Sequence, residues 1–342
     1  MKLQISESVN KKDWDAKICF AGGTIFHSSI WADYTVAGNA NCVPQYFTLL
    51  SDDGEFLGAA LGFQDSSPHK LLKRFTRSLW FDAMPLVRSN DEENIYEFFR
   101  LIENQARRTS CVHLLMGSYA SRDASSDLEK LGFKLIRRLE FEVGLDRSEE
   151  DLWRMLRDTR RKKIKKALRM GVIIEDLPIE IGIPELRRLQ VESAQRILKR
   201  GGPDVSTSLQ YGEDPIKVLV ESGYGRIVGA RVAGEVVSTF LFNNFNNLVY
   251  PIIGWHHQTA LETQAPTLLL WENIKRYRNE GAKKFNLGGC KSNAVDEGSP
   301  EHGVYMYKKD FGGECLQRSS GEKILHKTMH KAMNVAKSML HR

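Results

Sequence analysis

The chain has 342 residues, 42% apolar and 27% charged, an ordinary globular balance that excludes a disordered or collagen-like polymer. It is long enough for two domains. Its net charge of +6 comes from 49 Lys and Arg against 43 Asp and Glu, and one segment, Asp151 to Gly171, holds nine cations against two carboxylates. A surplus so concentrated points to a local anionic partner and argues against a protein that coats nucleic acid with its whole surface.

The N-terminus, Met1 to Lys12, is polar and lacks the apolar core of a signal peptide. No run of about 18 uncharged apolar residues occurs, so no transmembrane helix is expected and a cytoplasmic location is. Tyr46 to Leu50 and Phe56 to Phe63 flank the turn Ser51-Asp52-Asp53-Gly54 and read as a hairpin. After the apolar segment Ser78 to Val87, the spacing of Ile95, Phe98, Phe99 and Ile102 predicts a helix over about Glu92 to Arg107. A strand (Cys111 to Met116), a short helix ending at Gly132, and a strand (Phe133 to Val143) follow.

The second half repeats this order. Gly225 to Val232 and Val236 to Phe242 form a hairpin about Ala233-Gly234, and Leu248 to Ile253 is the next strand. Pro266 opens a helix over Thr267 to Asn279 and Gly281 closes it, the polarity expected of those two residues. A strand (Lys284 to Leu287), a short helix (Val304 to Asp310) and a strand (Glu314 to Gln317) complete the repeat. Two tandem α/β (α+β) units with mixed central sheets are therefore expected, over 1–146 and 147–320. The basic amphipathic tail, 321–342, reads as a C-terminal helix that packs back on the first domain. Between the halves, helices are expected near Pro184 to Lys199 and from Asp214-Pro215.

The five cysteines are odd in number, far apart and without a CxxC pair, which suggests reduced thiols and neither a disulfide framework nor a zinc site. His256-His257 are adjacent and would face opposite sides of a strand; His326 and His330 share a helix face but lack further ligands, so no metal is expected.

If Leu152 to Arg169 were one helix, its apolar residues would span about 160° and enclose Arg160 and Lys163, while Lys162, Lys165 and Arg169 fell outside. A buried unpaired charge is costly. Either the helix breaks near Thr159, or the two cations point into a polar cleft and hold phosphates there.

Three segments carry a family likeness: Ser148 to Val172 with its Arg160-Arg161-Lys162-Lys163 run; Leu268 to Gly289, a Leu-rich helix leading to Phe285-Asn286-Leu287-Gly288-Gly289; and Gly303 to Gly313, containing Tyr307-Lys308-Lys309-Asp310-Phe311. Together they resemble the FemAB-like non-ribosomal peptidyltransferases and related N-acyltransferases, which carry two GNAT-type folds in tandem. The likeness covers roughly residues 10 to 317. It departs at Asn286, where the family motif has Asp, and no long helical arm is present.

The resemblance implies an N-acyltransferase with Lys308 at the reaction centre, stabilising the carbonyl oxyanion, and Tyr307 beside it. From the residues alone Lys308 would be a surface lysine. The likeness also places Arg200 and the loop to Tyr211 at an anionic acceptor, and Tyr250 facing it; a core aromatic is the other reading of Tyr250. The loops before the two long helices, Arg88 to Glu92 and Glu262 to Pro266, lack the glycines that usually cradle coenzyme A, and no phosphate-loop motif occurs.

The leading expectation is therefore direct aminoacyl transfer from aminoacyl-tRNA to an amine on a peptidoglycan precursor, with no cofactor beyond the co-substrate and no covalent enzyme intermediate. The acceptor would be phosphate-bearing or lipid-linked. One alternative keeps the fold and takes its acyl group from acyl-CoA or an acyl carrier, with a polysaccharide or lipid precursor as acceptor. Another is a non-enzymatic RNA-binding protein using the basic helix, which would bind RNA with steep salt dependence.

Overall fold

A computed structural model of the chain describes residues 1–65, 76–88, 92–199 and 213–331. The first half runs β1 (Lys2–Ser6), α1 (Lys11–Phe20), α2 (Ser29–Gly38), β2 (Val43–Leu50), β3 (Phe56–Asp65), β4 (Ser78–Phe81), β5 (Leu86–Val87), α3 (Glu92–Arg108), β6 (His113–Met116), α4 (Ser125–Lys130) and β7 (Lys134–Gly144). The second half runs α5 (Glu149–Met155), α6 (Asp158–Arg169), β8 (Ile173–Asp176), α7 (Ile179–Lys199), α8 (Glu213–Glu221), β9 (Gly225–Val232), β10 (Glu235–Phe245), β11 (Leu248–His256), α9 (Gln258–Thr263), α10 (Ala265–Asn279), β12 (Lys284–Lys291), α11 (His302–Lys309) and β13 (Glu314–Ile324).

The duplication is longer than the sequence suggested. A strand and two helices precede each hairpin, β1-α1-α2 in one repeat and β8-α7-α8 in the other. Periodicity hides the first set. In α1 only Trp14 and Ile18 are buried, while α2 buries Ser29 to Ala32 together and leaves no clean polar face.

The chain forms two compact units, Met1–Arg138 with Gln317–Arg342, and Leu139–Leu316. In the first, the strand order is β1-β2-β3-β4-β6-β13, antiparallel except for the parallel pair β4–β6. Helix α3 makes the crossover that a parallel pair requires and sets Ile95, Phe98, Phe99 and Ile102 into the core, as the spacing predicts.

The tail departs from expectation. Residues to Ile324 are not helical: β13 pairs antiparallel with β6, Gly321 opposite Met116 and Ile324 opposite His113, and helix begins only at 327. Buried Ser319 and Gly321 explain the strand, since Gly321 lies where Leu128 and Phe133 leave little room for a side chain. Residues 332–342 of the expected helix lie outside the described residues.

In the second unit the order is β7-β12-β11-β10-β9-β8. Each repeat's last strand thus joins the other unit: β13 pairs β6, and β7 neighbours β12. Tight turns with positive φ at Ala233-Gly234 and Asn246-Asn247 join β9 to β10 and β10 to β11. Helix α10 then crosses over, burying Leu268, Trp271, Ile274 and Tyr277, and β12 returns parallel to β11.

The basic segment is two helices. Leu156 and Arg157 are extended, with ψ of 136° and 150°, so the break falls just before Thr159. Arg161 turns back across it and donates to the carbonyls of Trp153, Arg154 and Leu156 at 3.2, 3.0 and 2.7 Å, satisfying the C-terminal end of α5. Ile164 and Ala167 face the core, whereas Leu168 is exposed.

Candidate active site

The candidate site lies in the second unit, where β11 and β12 part. The two strands pair in parallel at Leu248↔Lys284 and Val249↔Phe285. The next residue on each strand is Tyr250 and Asn286. A gap between parallel strands beyond their last shared rung is a natural binding crevice, because main-chain groups there are not used up by a ladder.

Helix α11 brings Lys308 to this point. Its Nζ donates to the carbonyl of Gly289 at 2.9 Å and sits over Gly288, whose φ is +72°. A Cβ on Gly288 would come within 3.0 Å of that Nζ, so glycine serves both the left-handed backbone and the approach of the ammonium. An ammonium has three N–H donors, and Gly289 takes one.

Tyr307 and Arg160 fix α11 from behind. Arg160 is 1% exposed. Its guanidinium donates to the Tyr307 carbonyl at 2.9 Å and to Thr267 Oγ1 at 3.3 Å, and lies 3.6 Å from Asp310 Oδ2. It also stacks 4.3 Å from the Tyr307 ring centre and 5.1 Å from that of Phe311. Burial pushes the Tyr307 phenol up to about 12, against the opposing pull of Arg160 and Thr267. Burial also lowers Arg160, with Tyr307 and Asp310 opposing. The helix breaks before Thr159, as one of the two readings of the sequence had it; of the two cations, Arg160 turns inward onto protein groups and Lys163 stays exposed.

Lys163 is exposed one turn further along α6. Partial burial, then the charge of Arg160, pushes its ammonium down, with Asp310 opposing. Arg200 and Tyr211 lie outside the described residues.

Tyr250 is buried, and its hydroxyl reaches Glu140 Oε1 at 3.5 Å. Glu140, on β7, is fully buried, as is Asn286, whose Nδ2 donates to Glu140 Oε2 at 3.3 Å. Sequence reasoning missed Glu140. In Leu139-Glu140-Phe141-Glu142-Val143, alternation assigns it to a solvent face. A strand buried on both faces at this point gives it protein neighbours instead.

His256 hydrogen-bonds Ser238 through Nδ1 at 2.8 Å, and His257 caps α9, so the adjacent pair serves two separate local structures. Before α10, Gln264 adopts the left-handed conformation, φ +62°, that a glycine would adopt more readily.

Residues 154–309 match the family model of the acetyltransferase (GNAT) domain. That stretch carries a GNAT acetyltransferase domain. Lys308, Tyr307, Arg160, Tyr250 and Asn286 all fall inside the matched GNAT stretch, and Glu140 falls before it.

Solved structures agree in fold over the whole chain. FemX aligns over 97% of this chain and 99% of its own, with a TM-score of 0.71 at 14% identity. A tandem GNAT protein from the clavulanic acid biosynthesis pathway aligns over 94% and 98%, at 0.53 and 12%. The C-terminal domain of a proposed lysylphosphatidylglycerol synthetase from Agrobacterium fabrum aligns over 97% of both chains, at 0.52 and 14%. Among curated proteins, none matches this chain in sequence. Among the described residues no helix is long and apolar enough to cross a membrane.

Proposed function

We propose that this acyltransferase is FemAB-like and forms an amide by transferring an aminoacyl group from aminoacyl-tRNA to an amine on a cell-wall precursor. The amine attacks the ester carbonyl, a C–N bond forms, the C–O bond to the tRNA ribose breaks, and the proton lost by nitrogen ends on the departing oxygen. Negative charge builds on the carbonyl oxygen between those events, and a fixed donor must meet it. The observation that carries the reading is Lys308 Nζ, held 2.9 Å from Gly289 O beside the parting of β11 and β12. Tyr250 lines the acceptor side, and Tyr307 and Arg160 set the position of α11. Lys163, with Arg200 and Tyr211, would meet the phosphates of the acceptor. The fold likeness to FemX supports the choice of family branch.

The direct test gives purified protein a charged tRNA and an amine-bearing muramyl peptide precursor. Mass spectrometry of the acceptor should show one added aminoacyl unit. Unchanged acceptor, with charged tRNA consumed no faster than in buffer, would count against it.

A second donor has its own support. The matched family model is that of an acetyltransferase, and Gln264 gives the N-terminus of α10 the left-handed entry that glycine would otherwise supply. In this reading acyl-CoA replaces charged tRNA, and a lipid or polysaccharide precursor is acylated. Thermal stabilisation by coenzyme A alone would favour it; stabilisation by charged tRNA and not by coenzyme A would favour the first.

A further inference from the structure

We propose that Glu140 is a positioning residue for Lys308, acting through Asn286 and the Gly288-Gly289 turn. The functional part rests on the reading of Lys308 as the oxyanion donor; the pairing itself does not.

Glu140 and Asn286 are both fully buried and face each other from β7 and β12. The Glu140 oxygens offer acceptors to a facing amide. Asn286 must therefore turn its NH2 toward Glu140, where the 3.3 Å contact lies. Its carbonyl end is then committed to the other side, where Oδ1 accepts from the Gly288 N–H at 2.6 Å. That bond holds Gly288 in its left-handed turn, φ +72°. The turn presents the Gly289 carbonyl, and Lys308 Nζ donates to it at 2.9 Å. Each polarity in this chain is set by the one before it, from carboxylate to ammonium. The Tyr250 hydroxyl meets the other Glu140 oxygen at 3.5 Å, so one carboxylate meets residues of both β11 and β12 just past their last shared rung.

This gives a physical reason for asparagine at 286. An aspartate there could accept from Gly288 but would set a second buried acid against Glu140 and remove the amide N–H that joins the two side chains. Because β7 belongs to the first repeat and β12 to the second, the strand exchange is what supplies the carboxylate.

The test reverses the polarity. Asn286→Asp should lower the melting temperature by more than about 5 °C or abolish folding. In the double variant Glu140→Gln/Asn286→Asp, the amide introduced on β7 donates to the carboxylate introduced on β12. It should recover most of that loss, since neighbouring residues couple non-additively. A double variant no more stable than Asn286→Asp, or an Asn286→Asp protein as stable as the parent, overturns the pairing. The positioning role has a second readout that needs no substrate: the rate at which acetic anhydride modifies Lys308, followed by peptide mass spectrometry. Glu140→Gln/Asn286→Ala removes the Gly288 acceptor and leaves no buried carboxylate behind, so Lys308 should react several-fold faster than in the parent. The polarity-reversed double variant should react at the parent rate. Equal rates in the parent and in Glu140→Gln/Asn286→Ala would reduce the network to core packing. Loss of the transfer reaction would leave both readouts untouched, and their failure would not bear on the reaction.

Discussion

The Arg160 guanidinium stacks 4.3 Å from the centre of the Tyr307 ring and donates to that residue's own carbonyl at 2.9 Å. One side chain thus grips Tyr307 by both ring and backbone, next to Lys308 in the chain. Breaking a buried charged contact of this kind costs about 3–5 kcal/mol, because the partners remain buried. Arg160→Ala should lose stability of that order in urea titrations that follow the second unit. Arg160→Lys should recover little, since an ammonium cannot reach Tyr307 and Thr267 while stacking on the ring.

Gly288→Ala should reduce activity more than stability. The added methyl would meet Lys308 Nζ at 3.0 Å and strain a φ of +72°. Left-handed strain of this kind costs about 1–3 kcal/mol, but under the proposed oxyanion role displacement of the ammonium bears directly on transition-state charge. A fall in kcat of at least about tenfold, with a smaller change in KM, is the expected result in a transfer assay.

Two histidines make the fold sensitive to mild acid. Burial pushes His27 down to about 4; its Nδ1 accepts from the Thr24 N–H and its Nε2 donates to the Met84 carbonyl, an arrangement that the neutral ring alone provides. Burial, and after it Arg196, pushes His256 down to about 4. Both folded values lie below the ordinary 6.5, so the unfolded chain takes up protons first as pH falls. Their stabilising contribution is complete above about pH 6.5 and declines toward pH 4, by about 1.4 kcal/mol per pH unit for each ring. Denaturant midpoints measured between pH 7 and 5 should fall with pH. His27→Gln should flatten the slope for the first unit, and Ser238→Ala should leave it unchanged there.

Arg161 joins α5 to α6 by donating to three carbonyls. Arg161→Ala should cost about 1–2 kcal/mol, and faster amide exchange should appear in the last turn of α5 before anywhere else in the unit.

The hairpins and the two crossover helices were legible because their signals are local. Asp53-Gly54, Ala233-Gly234, Pro266 and Gly281 each fix a turn or a helix end within a few residues. The front of the first repeat was not legible, since α1 and α2 carry no 3.6-residue stripe; the matching helices α7 and α8 were legible near Pro184 and Asp214. Arg160 was ambiguous because Leu156-Arg157 break the helix with no glycine or proline to mark the place. Lys308 and Tyr250 became candidates only through the family likeness. Glu140 was invisible because its burial depends on β12, which follows it by more than a hundred residues in the chain. Strand alternation says which residues share a face and nothing about what covers that face.

The role of Lys308 is tested most directly by single-turnover transfer of a labelled aminoacyl group from charged tRNA to an amine acceptor, comparing the parent with Lys308→Ala. Removal of one oxyanion donor lowers the rate by about 10²–10³. A loss of that size, at an unchanged melting temperature and with tRNA still bound, is the expected result. A Lys308→Ala protein that transfers at the parent rate would contradict the oxyanion role.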